Sequence, residues 1–129
     1  MSQHQATAPL GPYARGAGYF SIAVGIAIIA IWAWLLATGR VPEIEDTPLG
    51  TAVHIAGEVF TAILMIVAGW GLINATSWAR RLHLLASGML LLVVIHAVAW
   101  YGERDDLVMV LAFVVFGVFT IFFAIRAEE

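Results

Sequence analysis

The stretch YFSIAVGIAIIAIWAWLLAT, residues 19–38, decides the fold because it contains no charged side chain. As an α-helix rising about 1.5 Å per residue, such a run is roughly 30 Å long, which matches the hydrocarbon core of a bilayer. Three further apolar runs follow at residues 49–73, 78–101 and 107–125, and the first of these contains one acid, Glu58. The pattern predicts an all-α fold, a four-helix transmembrane bundle with short loops.

The composition also indicates that lipid is the solvent for most of the chain. The 129 residues are 62% hydrophobic and 12% charged, with a mean hydropathy of +0.94, whereas a soluble domain is about 45–50% apolar and about 25% charged. The formal charge of −3 and six scattered basic residues do not indicate a nucleic-acid partner. The absence of cysteine excludes disulfides, thiolate metal sites and cysteine nucleophiles.

The chain has the length of one domain, and we predict that the membrane domain spans residues 19–126. Residues 1–18 are polar and contain several prolines and glycines, so we expect a flexible or interfacial tail there. Residues 127–129 are predicted to form a short C-terminal tail. Proline and clustered acids predict a loop between the first two spans.

Local signals predict how the helices begin and how closely they approach one another. Ser77 is expected to cap the third helix, and Asp105 or Asp106 is favourably placed at the start of the fourth. Small residues four positions apart let transmembrane helices come close. Two such pairs occur, Ala23 with Ala27 and Ala52 with Ala56.

The arginines predict the orientation in the membrane, because cytoplasmic loops carry an excess of positive charge. Four arginines lie on the side of the two termini and two lie on the opposite side, which favours cytoplasmic termini in a multi-pass protein of the plasma membrane. The first group is Arg15, Arg80, Arg81 and Arg126, and the second is Arg40 and Arg104. Aromatic residues predicted at the outer interface are Trp32, Trp34, Trp100 and Tyr101.

Glu58 is the most informative single residue, because it lies deep within the second predicted span. A charged carboxyl group near the centre of a bilayer costs about 2.5–3.5 kcal/mol, so it requires a partner inside the bundle. His54 lies four positions earlier and Thr61 three positions later, which places all three side chains on one helix face. These residues are predicted to form a buried polar centre that either pins the packing or couples protons or ions.

His96 extends the candidate site to the third span. Helix counting places it at the same depth as His54 on an antiparallel neighbour, so His54, Glu58 and His96 are expected to converge in the outer half of the bundle. Two imidazoles could ligate a b-type haem, and two imidazoles with a carboxylate could hold a divalent metal. His83 faces another direction and is interpreted as an interfacial histidine.

Two stretches of the chain carry a resemblance to known proteins. They are HIAGEVFTAILMIVAGWGLI, residues 54–73, and the segments WARRLHLLASGML and YGERDDLVMVLAF within residues 78–113. Over roughly half of the chain, they resemble a group of small four-helix prokaryotic integral membrane proteins that are uncharacterised. His54 and Glu58 match the pattern of that group and His96 does not. The resemblance implies no function.

The sequence therefore predicts a small multi-pass, non-enzymatic membrane protein, an accessory subunit or homo-oligomer with a His54–Glu58 polar centre. One alternative is a membrane redox protein that binds haem or a metal through His54 and His96. The other is a proton-coupled small transporter that uses Glu58. The expected partners are the lipid bilayer and either further copies or a larger membrane complex, and no cofactor is the leading expectation.

Overall fold

The structure, a computed structural model, describes residues 11–41 and 43–127, with the backbone alone described at residues 43 and 44. Its helices are α1 (Pro12–Ala37), α2 (Glu43–Asp46), α3 (Pro48–Ile73), α4 (Ala79–Gly102) and α5 (Leu107–Arg126). Within the described residues, four helices are long and apolar enough to cross a membrane, namely all except α2. The predicted all-helical fold is confirmed, and the four long helices indicate a multi-pass membrane protein.

The first long helix begins at Pro12, seven residues before the apolar run that predicted it. Proline suits this position because its fixed φ matches the helix and its missing N–H would have no partner in the first turn. Ala14 and Ala17 are buried in a cluster with Leu72 and others. Residues 12–18 therefore belong to the bundle rather than to a tail, while residues 1–10 lie outside the described part.

Of the helix caps predicted at Asp106 and Ser77, the structure contains the first and not the second. The Asp106 carboxylate accepts a hydrogen bond from the Met109 amide at 3.2 Å, so this residue caps α5 as expected. Ser77 does not cap α4, because the helix begins one residue later, with Trp78 at the cap position and no side-chain cap bond. The preceding turn closes through Ala75 in the left-handed region, at φ 54°, which leaves Ser77 in the turn.

The closest helix contact is between α1 and α3, whose backbones touch at glycines. A Cβ atom added to Gly25 would lie 2.5 Å from the carbonyl oxygen of Ala62. A Cβ atom added to Gly69 would lie 2.5 Å from the carbonyl oxygen of Gly18. No side chain fits at these positions, so glycine allows the two helices to approach to backbone contact.

A side-chain hydrogen bond reinforces this crossing. The hydroxyl of Ser21 on α1 donates to the carbonyl oxygen of Met65 on α3 at 2.7 Å, and both residues are fully buried. The prediction that alanine pairs make the close contact is wrong, because glycines on other faces make it instead. All four alanines of the two predicted pairs are exposed, namely Ala23, Ala27, Ala52 and Ala56.

The remaining contacts arrange the long helices as antiparallel neighbours. α4 packs against α3 and α5, and α5 also reaches α1 through aromatic rings. The ring of Phe20 stacks on Phe123 with centroids 4.8 Å apart, and Tyr13 meets Phe122 edge to face at 5.7 Å. These aromatic contacts lie near the beginning of α1 and the end of α5, which we call the terminal end of the bundle. The opposite end, where α1 ends and α3 begins, is the first-loop end.

Among the described residues, the buried ones are confined to the part of the bundle next to the terminal end. The last such residue on α1 is Gly25 and the last on α4 is Val94. The first on α3 is Thr61 and the first on α5 is Gly117. Every residue of described burial from these positions to the first-loop end is at least partly exposed. We call the two parts the closed half and the open half.

Candidate functional site

The centre of the candidate site is a hydrogen-bonded pair of side chains, His54 and Glu58, both on α3. Glu58 lies ten residues after Pro48, about 15 Å along the helix, and His54 lies one turn nearer the start. His54 Nε2 and Glu58 Oε2 are 2.6 Å apart, so the ring N–H donates to the carboxylate. The side chains are 36% and 16% exposed respectively, so neither is sealed inside the bundle.

Trp32 of α1 provides the second hydrogen bond to the carboxylate. Its indole N–H donates to Glu58 Oε1 at 3.0 Å, so each carboxylate oxygen accepts one bond. The Trp32 ring also meets the ring of His54 edge to face, with centroids 6.0 Å apart. The sequence predicted Trp32 at the outer membrane interface, whereas the structure places it in the site.

A signal for Trp32 was present in the sequence. Gly18, Gly25 and Trp32 are spaced seven residues apart, and two helical turns return a side chain to nearly the same face. The two glycines of this series face α3 in the closed half. Trp32 therefore continues the α3-facing stripe into the open half, where Glu58 lies.

His96 of α4 lies beside His54, as helix counting predicted. Their ring centroids are 4.9 Å apart and the rings are tilted by 44°. His96 is exposed, and among the described residues no hydrogen bond joins it to Glu58. His54 is therefore the central member of the group, in contact with Glu58 on its own helix and with His96 on the neighbouring helix.

Thr61 shares a helix face with Glu58 but does not take part in the site. Its hydroxyl donates to the carbonyl oxygen of Gly57 at 2.8 Å, within the same helix, and the residue is buried. A serine or threonine in a membrane helix can satisfy its hydroxyl in this way without any contact with another helix. The polar centre therefore consists of Trp32, His54, Glu58 and His96.

The site geometry does not fit a haem held between the two histidines. Imidazoles on opposite sides of one iron have ring centres about 6 Å apart, because each nitrogen lies about 2 Å from the metal. The separation of 4.9 Å between His54 and His96 is shorter and leaves no space for a macrocycle. Within the described residues, no group of three or more His, Cys, Asp or Glu side chains is arranged to hold a metal ion.

His83 lies in the closed half, away from this site. It is 1% exposed, and Ser87 one turn further along α4 is 2% exposed, so the structure buries both residues against the other helices. The residue predicted to lie at an interface is therefore a core residue of the bundle.

The comparisons with known proteins give a family without an assigned activity. The family described as a domain of unknown function, DUF8058, matches residues 13–127, which include nearly all of the four long helices. No curated protein and no solved structure matches the chain. The expected relation to an uncharacterised family is consistent with this result, and the chain belongs to the DUF8058 family.

Proposed function

We propose that the chain is a non-enzymatic, multi-pass membrane protein whose His54–Glu58 pair is a ligand-binding centre open to water. The observation that carries this proposal is the position of the pair in the open half. Uncovered charge in contact with lipid is costly, so a partly exposed His–Glu pair needs water, a ligand or another protein beside it.

Three buried hydroxyl groups of the closed half provide the contrast. Ser21, Thr61 and Thr120 are fully buried, and each hydroxyl donates to a backbone carbonyl oxygen. These groups have the geometry of packing contacts, since every bond they can donate is made inside the bundle. The His54–Glu58 pair differs because part of each side chain remains accessible, and a contact that served packing alone would be closed.

The membrane setting follows from the same features. The four long helices have the length and hydropathy of membrane spans. We propose that both termini are cytoplasmic, on the count of four arginines against two. The open half and its polar centre would then face the outside of the cell.

The absence of cysteine from the chain permits a direct test of water access. His96→Cys places a unique thiol beside His54, and Ile95→Cys places one at nearly the same depth on the exposed apolar surface. In proteoliposomes, a charged, membrane-impermeant methanethiosulfonate should label His96→Cys and leave Ile95→Cys unlabelled. The reagent modifies thiols in water far faster than thiols in lipid, because only the thiolate reacts.

Equal labelling of the two variants would contradict the proposal, whether both thiols react or neither does. If neither thiol reacts, the polar centre is closed to water and serves packing. If both react, the label reports general exposure of α4 rather than a specific opening. Circular dichroism of each variant before labelling provides the control for folding.

A further inference from the structure

The separation of the His54 and His96 rings matches that of two imidazoles bound to one metal ion. With metal–nitrogen bonds of about 2.0–2.1 Å and ring centres about 1.1 Å beyond the nitrogens, two imidazoles on one ion have centres about 4.5 Å apart at a right angle and about 5.1 Å apart at the tetrahedral angle. The observed centroid separation of 4.9 Å lies between these values. The two rings come from neighbouring helices, so the bundle itself fixes their separation.

Glu58 already occupies the position that a metal site requires of an outer carboxylate. A histidine that ligates a metal almost always donates its other ring N–H to a carboxylate or carbonyl, which orients the ring and makes it a better ligand. His54 Nε2 is bound to Glu58, which leaves Nδ1 as the nitrogen with a free lone pair. The Trp32 N–H holds the other carboxylate oxygen, so the orienting group is itself fixed.

We propose that His54 and His96 together bind a divalent transition-metal cation, with Glu58 as the orienting carboxylate rather than a ligand. This inference rests on the proposed function and names the class of ligand that enters the open half. Imidazole selects zinc, copper, nickel or cobalt over magnesium and calcium, which prefer oxygen ligands. Two protein ligands leave the remaining coordination positions to water, which suits weak and reversible binding.

Cobalt(II) is a suitable probe, because it replaces zinc at such sites and its visible absorption depends on the ligands. The full chain, purified in a mild detergent and freed of metal, should bind one Co²⁺ per chain with a shifted visible spectrum. Zn²⁺ should displace it, and a large excess of Mg²⁺ should not. The matched control is His83→Gln, which removes a histidine in the closed half and should leave the spectrum unchanged.

The variants distinguish the two ligands from the orienting residue. His96→Ala should abolish the cobalt spectrum, since the exposed ring contributes one of only two protein ligands. Glu58→Gln should keep the spectrum and weaken the affinity about 10–100-fold, which is the usual effect of losing an outer-shell partner. Binding by His83→Gln, with loss in His96→Ala, would support the proposal.

Three results would overturn it. They are no Co²⁺ binding by the unmodified chain, unchanged affinity in His96→Ala, and retained binding in His96→Ala together with complete loss in Glu58→Gln. The cysteine labelling is independent of these measurements. If His96→Cys is labelled but the unmodified chain binds no cobalt, the centre is open and takes another ligand. If His96→Cys is not labelled and the unmodified chain binds no cobalt, the proposed function is wrong as well.

Discussion

The contact between α1 and α3 provides the sharpest prediction about stability. In Gly25→Ala the new Cβ atom would lie 2.5 Å from the Ala62 carbonyl oxygen and 2.6 Å from Cγ1 of Ile66. An ordinary contact begins near 3.4 Å, so the two helices must separate by about 0.9 Å. Overpacking of this kind costs about 1–3 kcal/mol. The same separation would stretch the Ser21 hydrogen bond to α3, whose loss adds about 0.5–1.5 kcal/mol.

The matched control is Gly88→Ala on α4, where nothing lies within 4 Å of an added Cβ atom. Both substitutions gain the higher helix propensity of alanine, about 0.8–1.0 kcal/mol, so the difference between them isolates the clash. We expect the free energy of unfolding of Gly25→Ala to lie about 1–3 kcal/mol below that of Gly88→Ala. The assay is titration with sodium dodecyl sulfate in a mild detergent, followed by far-ultraviolet circular dichroism. Equal stability of the two variants would refute backbone contact at this crossing.

Three further changes test individual contacts by the same denaturant titration. Ser21→Ala removes the 2.7 Å bond to the Met65 carbonyl and should lower the free energy of unfolding by about 0.5–1.5 kcal/mol. Trp32→Phe keeps an aromatic ring, although a smaller one, and removes the N–H that binds Glu58, at a cost of about 1–3 kcal/mol. An unchanged midpoint would show that water replaces this donor. Asp106→Ala removes the cap of α5, should cost about 0.5–2 kcal/mol and should speed hydrogen exchange of the Met109 amide. The control is Asp105→Asn, since asparagine tolerates the left-handed backbone at this position, where φ is 54°.

Hydropathy alone predicted three of the four long helices almost to the residue. α3, α4 and α5 begin and end within one residue of the predicted runs, because charged residues, proline or a short polar turn bound each apolar segment. The start of α1 was not predicted, because Arg15 and several glycines precede the apolar run and give that segment the composition of a tail. The helix nevertheless starts at Pro12, since small residues there pack against α3 and against the end of the bundle.

The candidate site was predictable within a helix and only partly predictable between helices. The spacing of four residues places His54 beside Glu58, and equal depth on antiparallel helices places His96 beside His54. Trp32 was not found, because hydropathy gives the depth of a residue on an apolar helix but not its rotation. Thr61 shows the opposite error, since sharing a face with Glu58 does not require its hydroxyl to join the same site.

One seven-residue series on α1 connects the closed packing to the open site. Gly18 and Gly25 present no side chain to α3, so the helices touch there, and the next member of the series is Trp32, one of the largest side chains. In the open half the indole N–H of this tryptophan donates to the Glu58 carboxylate on the facing helix. The same stripe of α1 therefore makes backbone contact with α3 in the closed half and a side-chain hydrogen bond to it in the open half, where the His54–Glu58 pair is partly exposed beside His96.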